Sequence, residues 1–365
     1  MGDVPLETYL ASHLTLPGLI DAHVHLREPG ATHKEDCFSG TRAALAGGFT
    51  TILDMPNNQP PIADSATLSD KLSLFHNKAV CDYGLFAGYD VSQRNSFIEL
   101  APRVVGLKLY LDQTFNGIPI SFKELEPVFS SWPGPGPIAI HAESHSIAVA
   151  LELAQRCKQR LHICHVPHPD DLLVIDSARQ RGVQVTCEVT PHHLLLTTED
   201  ASWLGAYGQM KPPLLSPDLV ELMWQRLYLV DILASDHAPH TRQEKDGLTP
   251  PPGVPGLETT LPLFLNAIDQ GKLTLERFLE LVHDQPARIY AIQLTTGRVE
   301  VELGEPYSLP ESGYITRCGW SPFIGKRALG RVLQVTLHDK LVWQDGSLLV
   351  NAGYGRDVMQ SDLTV

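Results

Sequence analysis

The sequence lacks most of the features that would mark a chain for nucleic acid, membranes or export. It carries 28 Lys and Arg against 42 Asp and Glu, a formal net charge of −14, and its basic residues form no cluster. A surface of that sign repels polyanions and anionic bilayers, so neither nucleic acid nor membrane is expected as a partner. No apolar run reaches the roughly 20 residues that a spanning helix needs. The N-terminal MGDVPLETYL has neither the basic flank nor the long apolar stretch of a signal peptide. The six cysteines, Cys37, Cys81, Cys157, Cys164, Cys187 and Cys318, contain no C-x-x-C pair. Free thiols in a reducing, cytoplasmic compartment follow. Repeats and low-complexity tracts are missing too, and no G-x-G-x-x-G follows the first predicted strand, which leaves a dinucleotide-binding open sheet without support.

What is present is a long alternation of short apolar strands with helical patterns, the signature of βαβ units. Eight strand candidates run from LTLPGLIDAHVHL through FTTILDMP, CDYGLFAGY, VVGLKLYL, PIAIHAE, LHICHV and VQVTCEVTP to DILASDHAP. Helical patterns such as DCFSGTRAALAGG, DDLLVIDSARQRG and LERFLELVHDQPARIYAI lie between and after them. Eight parallel strands close into a barrel more readily than they stay open, and about 250 residues suffice for one. The expected fold is therefore α/β, a TIM-type (β/α)8 barrel over 16–292, preceded by an N-terminal extension, 1–15. From about 293 the texture changes to TGRVEVELGEPYSL and RVLQVTLHDKLVWQDGSLLV, which predicts short antiparallel strands in a small β subdomain with the tail to 365.

In such a barrel the chemistry sits at the C-terminal ends of the strands. The first strand ends in His23-Val24-His25, and period-two alternation puts both imidazoles on one side, where they can converge on one metal ion. Lys108 ends the fourth strand, His141 the fifth, His165 the sixth and Asp236 the eighth. A lysine is out of place beside divalent cations as an ammonium group. Desolvation and neighbouring positive charge depress its pKa, and the free amine can take up carbon dioxide to become a carbamate, a bridging ligand equivalent to a carboxylate. Two ions so bridged activate a water towards a carbonyl carbon. Asp236 then ligates metal, takes the proton of the attacking water and returns it to the leaving nitrogen.

The segments PGLIDAHVHLREPG, THKED, DMPNNQPP, GLKLYL, HAE, HICHV, EVTPHHL and ASDHAPHT resemble the amidohydrolase superfamily and, within it, the dihydroorotases. LREPGATHKED and PPPGVPGLET look most like the dihydroorotase domain of the multifunctional (CAD-like) pyrimidine-synthesis polypeptide of animals. The resemblance spans most of the barrel. It implies reversible cyclisation of N-carbamoyl-L-aspartate to L-dihydroorotate with Zn2+ as cofactor. It also implies a homodimer and a larger polypeptide that includes carbamoyl-phosphate synthetase and aspartate transcarbamoylase domains. By the same motif matches His23, His25 and Asp236 hold one zinc, His141 and His165 the second, and carbamylated Lys108 bridges them. Arg27, Asn57 and His240 contact a substrate carboxylate. Thr114 and Phe115 lie on a loop that closes over substrate, and Pro252 and Gly253 present backbone to the pyrimidine ring. Lys211 stands where relatives often carry Arg or Asn, and offers charge without a bidentate fork.

Cys164 and Glu188 could contribute to a third metal position or support the ligands, and strict alternation argues the other way for Cys164, away from His165. His192 and His193 are expected to be structural, and His237 to lie behind the ligands. The competing functions are a hydantoinase, dihydropyrimidinase or allantoinase with the same metals, and a non-catalytic scaffold relative. The anionic clamp of Arg27, Asn57 and His240 distinguishes the first group, and the complete ligand set speaks against the second.

Overall fold

The computed structural model describes residues 13–90, 96–114, 117, 119–294 and 296–360. The segment expected as one first strand is two strands in different sheets. β1 (His13–Pro17) belongs to an antiparallel sheet, and β2 (Leu19–Val24) opens the barrel. Gly18 makes the break: a Cβ there would run into the Thr50 side chain, and its N–H bonds the Gly297 carbonyl at 2.8 Å. Only glycine lets the chain pass so close to a neighbouring strand.

From β2 the barrel continues through β3 (Phe49–Asp54), β4 (Asp82–Ala87), β5 (Gly106–Tyr110), β6 (Ile138–His141), β7 (Leu161–Ile163), β8 (Val185–Val189) and β9 (Ile232–Leu233), all parallel and in sequence order. The chain is thus α/β, a TIM-type barrel of eight strands with an antiparallel sheet beside it. Ile20, Leu53, Phe86, Val105, Ala139 and Ile232 fill the barrel interior, and a larger core lies between strands and helices. Burial on both faces explains why these strands read as mainly apolar runs instead of alternating ones. Helices start where capping chemistry is available: Asp36 with Ser39 caps Cys37–Ala46, and Asp64 with Thr67 caps Ser65–Lys78. The long helical pattern after residue 274 is interrupted by a wide turn at Glu280–Asp284. That turn comes just before Pro286, whose ring would clash with a carbonyl four residues back in a regular α-helix.

The ring closes at its functional end. Val24 bridges His237, and the His25 N–H bonds the His237 carbonyl at 2.8 Å. A buried ion pair holds the adjacent strand end. Asp54 accepts the Leu26 N–H at 2.8 Å and pairs with Lys71, which also donates to the Met55 carbonyl at 3.1 Å and to Asn58 Oδ1 at 2.5 Å. Both charged side chains are fully buried, so each is compensated only by the other and by these hydrogen bonds.

After the barrel, β10 (Arg298–Glu302), β11 (Tyr307–Ser308), β12 (Arg327–Ala328), β13 (Arg331–Leu337), β14 (Lys340–Gln344) and β15 (Ser347–Leu348) follow. The larger antiparallel sheet runs β1-β10-β13-β14-β15, so the first described strand shares a sheet with the strands that follow the barrel, while the segment after β15 returns to bond β4 through Tyr83. The connecting segment is fastened to the barrel mouth by carboxylates: Glu258 accepts the N–H groups of Ile315 at 2.7 Å and Thr316 at 2.8 Å, and Glu35 pairs with the Thr316 hydroxyl. Trp320 Nε1 donates to the His240 carbonyl at 2.7 Å. Among the described residues no helix is long and apolar enough to cross a membrane.

Two outcomes are expected. Lys71→Met leaves Asp54 buried without its counter-charge and should cost about 3–5 kcal/mol in urea unfolding; a loss below ~1 kcal/mol would show that the pair does not anchor the strand end. Burial pushes the Glu258 carboxyl up to about 7 from its usual 4.5. The folded state therefore holds that proton more tightly, and its contribution is complete below pH 4.5 and lost as pH rises through about 7. Glu258→Gln should flatten the fall in stability between pH 5 and 7 relative to the parent, measured as urea midpoints across that range.

Candidate metal centre

His23 is the last residue but one of β2 and His25 follows just beyond the strand, and both Nε2 atoms face one carboxylate oxygen. His23 Nε2 lies 3.4 Å and His25 Nε2 3.2 Å from Asp236 Oδ1. The other nitrogen of each ring is already engaged. His25 Nδ1 bonds Asn57 Oδ1 at 2.7 Å, and His23 Nδ1 bonds Glu188 Oε1 at 2.5 Å. A neutral ring that donates from Nδ1 presents a lone pair at Nε2, so in this arrangement lone pairs point at a carboxylate oxygen. Two acceptors facing each other repel unless a cation lies between them. Ligand atoms around one tetrahedral zinc are about 3.3 Å apart, which these separations match. Burial alone would depress the His23 imidazole, but Glu188 and Asp236 outweigh it and push it up to about 10, so without a metal a proton takes the place of the cation that these acceptors call for. Burial holds His25 down at about 4, in the neutral form a ligand needs.

Opposite this group, His141 Nδ1 and His165 Nε2 are 3.0 Å apart, again a ligand spacing. Their remaining nitrogens, His141 Nε2 and His165 Nδ1, are buried without hydrogen-bond partners. Burial and Lys108 bring His141 down to about 3, and burial with His141 lowers His165 strongly, so both rings are neutral. Lys108 lies between the two groups, almost fully buried, with Nζ 2.9 Å from Cys164 Sγ. The buried donors of the first group therefore suit a metal ion, and the two neutral imidazoles and the lysine line the same cavity.

Strict alternation would turn Cys164 away from this centre, and the structure departs from it. β7 ends at Ile163, and His165 has φ +33°, so the backbone turns sharply enough for Cys164 and His165 both to face inwards. Arg27 at φ +64° and Asp236 at φ +46° share this uncommon conformation. Non-glycine residues there carry strain of about 1–3 kcal/mol each, which the surrounding structure must offset. Glu188 is the organiser: besides His23 it takes His162 Nε2 at 3.1 Å and the His165 N–H at 3.1 Å. Ligand atoms of His23, Cys164 and Glu188 lie within 4.8 Å of one another, as do those of His23, His25 and Asp236.

A cavity opens over the centre. Its lining brings together His23, His25, Lys108, His141, His165 and Asp236 with Arg27, Asn57, Thr114, Lys211, Pro252 and Gly253. Phe115 lies outside the described residues. His240 does not line the cavity; fully buried behind Arg27, its Nε2 is 3.4 Å from Arg27 Nη2 and 3.0 Å from the Pro252 carbonyl. Asn57 proves to orient His25 as well as to face the cavity. The adjacent histidines part ways. His193 is structural, bonded to Thr190 Oγ1 at 2.7 Å and the Pro212 carbonyl at 3.1 Å, whereas His192 lines the cavity with Nε2 unpartnered.

Two lysines were not singled out from the sequence. Lys245 is buried and donates to the carbonyls of Ala206 at 3.1 Å, Gln209 at 3.4 Å and Pro251 at 2.9 Å, which fastens the loop carrying Pro252 and Gly253. Burial and Arg27 push it down to about 7. Lys34 reaches His240 Nδ1 at 3.2 Å. Nothing in RQEK marks Lys245 as buried, whereas Lys34 stands inside THKED and could have been weighed with its neighbours.

With this geometry in view, comparisons with known proteins are specific. The amidohydrolase family model matches residues 14–187. The chain is 41% identical over 98% of its length to "Multifunctional protein CAD" of Squalus acanthias, of which it spans only 16%. It is 34% identical to a dihydroorotase of Pyrococcus abyssi, covering 96% of this chain and 88% of that one. Among solved structures it is similar to an L-hydantoinase (dihydropyrimidinase) from Arthrobacter aurescens, with TM-score 0.90 at 25% identity over 94% and 88% of the two chains. A second similar structure is the inactive dihydroorotase-like domain of a Chaetomium thermophilum CAD-like multifunctional protein, with TM-score 0.80 at 26% identity over 94% and 99%.

If these donors hold metal in the folded state only, dialysis against a chelator should lower Tm by about 5 °C or more, and added zinc should restore it. A Tm and an elemental content that chelation leaves unchanged would contradict the centre.

Proposed function

This chain belongs to the amidohydrolase family, and from that premise we propose that it catalyses the reversible, zinc-dependent cyclisation of N-carbamoyl-L-aspartate to L-dihydroorotate. The observation that carries the reading is that metal-type donors and the guanidinium of Arg27 line one cavity in a chain of net charge −14. A locally positive pocket in an otherwise repelling surface suits a small carboxylate-bearing ring.

In this reading His23, His25 and Asp236 would hold one zinc, and His141 and His165 the other, with carbamylated Lys108 between them. Glu188 would orient His23 through its Nδ1, and Cys164 would lie beside Lys108 as a supporting group. When bound, the ions would activate water and polarise the ring carbonyl. The protein's own groups do the rest. Asp236 takes the proton of the attacking water at a carboxylate oxygen and hands it to the ring nitrogen as the C–N bond breaks; cyclisation runs the same transfers backwards. Burial opposes ionisation of Asp236, but His23 and His25 outweigh it and hold the carboxyl well below its usual range, which keeps it ready to accept. Arg27 takes the substrate carboxylate, with His240 behind it; Asn57, Lys211 and Thr114 contribute from the sides, and the backbone of Pro252 and Gly253 meets the ring.

The barrel unit, 16–292, would carry this site, with 1–15 and 293–365 as its flanks. The multifunctional relative supports a place within a larger cytoplasmic polypeptide beside carbamoyl-phosphate synthetase and aspartate transcarbamoylase domains, and a homodimer is the assembly that fits this reading. A neutral-ring hydantoinase is the competing activity, favoured by the similarity to the Arthrobacter structure.

Steady-state assays with dihydroorotate, hydantoin and allantoin decide between them: turnover of the neutral rings alone would sink the proposal. Arg27→Lys, which keeps the charge but loses the planar fork, should raise KM for dihydroorotate about tenfold or more. Asp236→Asn should lower kcat by about 10²–10⁴.

A further inference from the structure

Lys34 stands seven residues after Arg27 on the same loop, with 5% of its surface exposed, and its ammonium group reaches both Glu244 and His240. Its Nζ lies 2.9 Å from Glu244 Oε1 and 3.2 Å from His240 Nδ1. An ammonium group can only donate, so His240 Nδ1 must accept, and a neutral ring then carries its proton on Nε2. That N–H points at the Pro252 carbonyl, 3.0 Å away. The contact of Arg27 Nη2 with the same nitrogen at 3.4 Å is then between two donors, and Arg27 is held by the bond from its Nε to the Pro239 carbonyl at 3.2 Å.

The ring is thus a wedge between two parts of the cavity wall. Gly253, at φ +132°, packs so closely on it that a Cβ would sit 3.0 Å from His240 Nε2 and 2.7 Å from the Ala238 carbonyl. The opposite tautomer would leave an Nδ1–H facing an ammonium and a lone pair facing a carbonyl, both repulsive. Glu244 balances the charge of Lys34, so the lysine acts through hydrogen-bond direction rather than through a long-range field.

We propose that Lys34 is a positioning residue for carboxylate recognition: it sets His240 as the Nε2–H tautomer, which fixes the Pro252–Gly253 backbone of the cavity wall beside the Arg27 guanidinium. The inference rests on the dihydroorotase reading for its substrate, but its tautomer does not depend on any substrate.

The test uses the full chain with its metal. Lys34→Met should raise KM for dihydroorotate and for N-carbamoyl-L-aspartate about tenfold, the usual weight of one hydrogen bond to a charged group, with kcat within twofold and metal content unchanged. Lys34→Arg, which keeps a donor, should recover most of the loss. In [15N]histidine-labelled protein, with His240 assigned by the signal missing from His240→Gln, the wild type should show the Nε2–H form and Lys34→Met should lose it. An unchanged KM, a kcat falling in step with it, or an Nδ1–H ring in the wild type would overturn the proposal. Should Lys34→Met fail to fold, the wild-type tautomer and the Lys34→Arg kinetics still decide. A wild type that turns over no dihydroorotate would defeat the functional reading instead, while the tautomer measurement would go on testing Lys34.

Discussion

Two imidazole lone pairs directed at one carboxylate oxygen repel each other unless a cation separates them, and much of this barrel mouth serves to hold that arrangement in place. His23 cannot turn away because Glu188 holds its Nδ1, and His25 cannot because Asn57 does. Asp236 is kept opposite them by a backbone at φ +46°, where the chain leaves β9 and bridges back to β2. The ring of strands therefore closes at the same place as the donors converge. A barrel that opened there would lose the site and its own last bridge together.

Around this centre, buried charges are compensated by short, specific partners instead of solvent. Lys71 neutralises Asp54 beneath Leu26, Lys245 collects three carbonyls beneath the Pro252 loop, and Glu258 and Glu35 receive the segment that leads out of the antiparallel sheet. Removing one partner of such a set is costly because it leaves an uncompensated group in a medium of low polarity. The distribution also explains how a chain of net charge −14 offers a pocket to an anion. Arg27, Lys34, Lys108, Lys211 and Lys245 are drawn to one end of the barrel, while acidic groups dominate the chain as a whole.

Much of the architecture was legible in advance, for a physical reason. Strands buried on both faces are largely apolar, so the ionisable residues carried in and just beyond them stand out, and collecting those toward the strand ends brought His23, Lys108, His141, His165 and Asp236 together. What defeated the pattern was backbone geometry that period-two alternation does not describe. Gly18 splits an apparently continuous strand between two sheets, and the turn at His165 brings Cys164 to the same side as its neighbour. His192 and His193 have the same local sequence context, yet one faces the cavity and the other locks a loop.

The sequence by itself determined the fold class, the set of metal-type donors and the presence of a cation close to them, because each follows from periodicity or from the residue type at a strand end. Only the tertiary structure decided which nitrogen of each histidine is free, which residue stands behind which, and that two unremarkable lysines, Lys34 and Lys245, are buried partners of the cavity wall. Those properties depend on contacts between segments up to about two hundred residues apart, such as Lys34 with His240 across 206 positions, and no local pattern records them. His23 and His25 are two positions apart in the chain, but their direction is set by Asn57, Glu188 and Asp236, which come from three other strands or the loops that follow them.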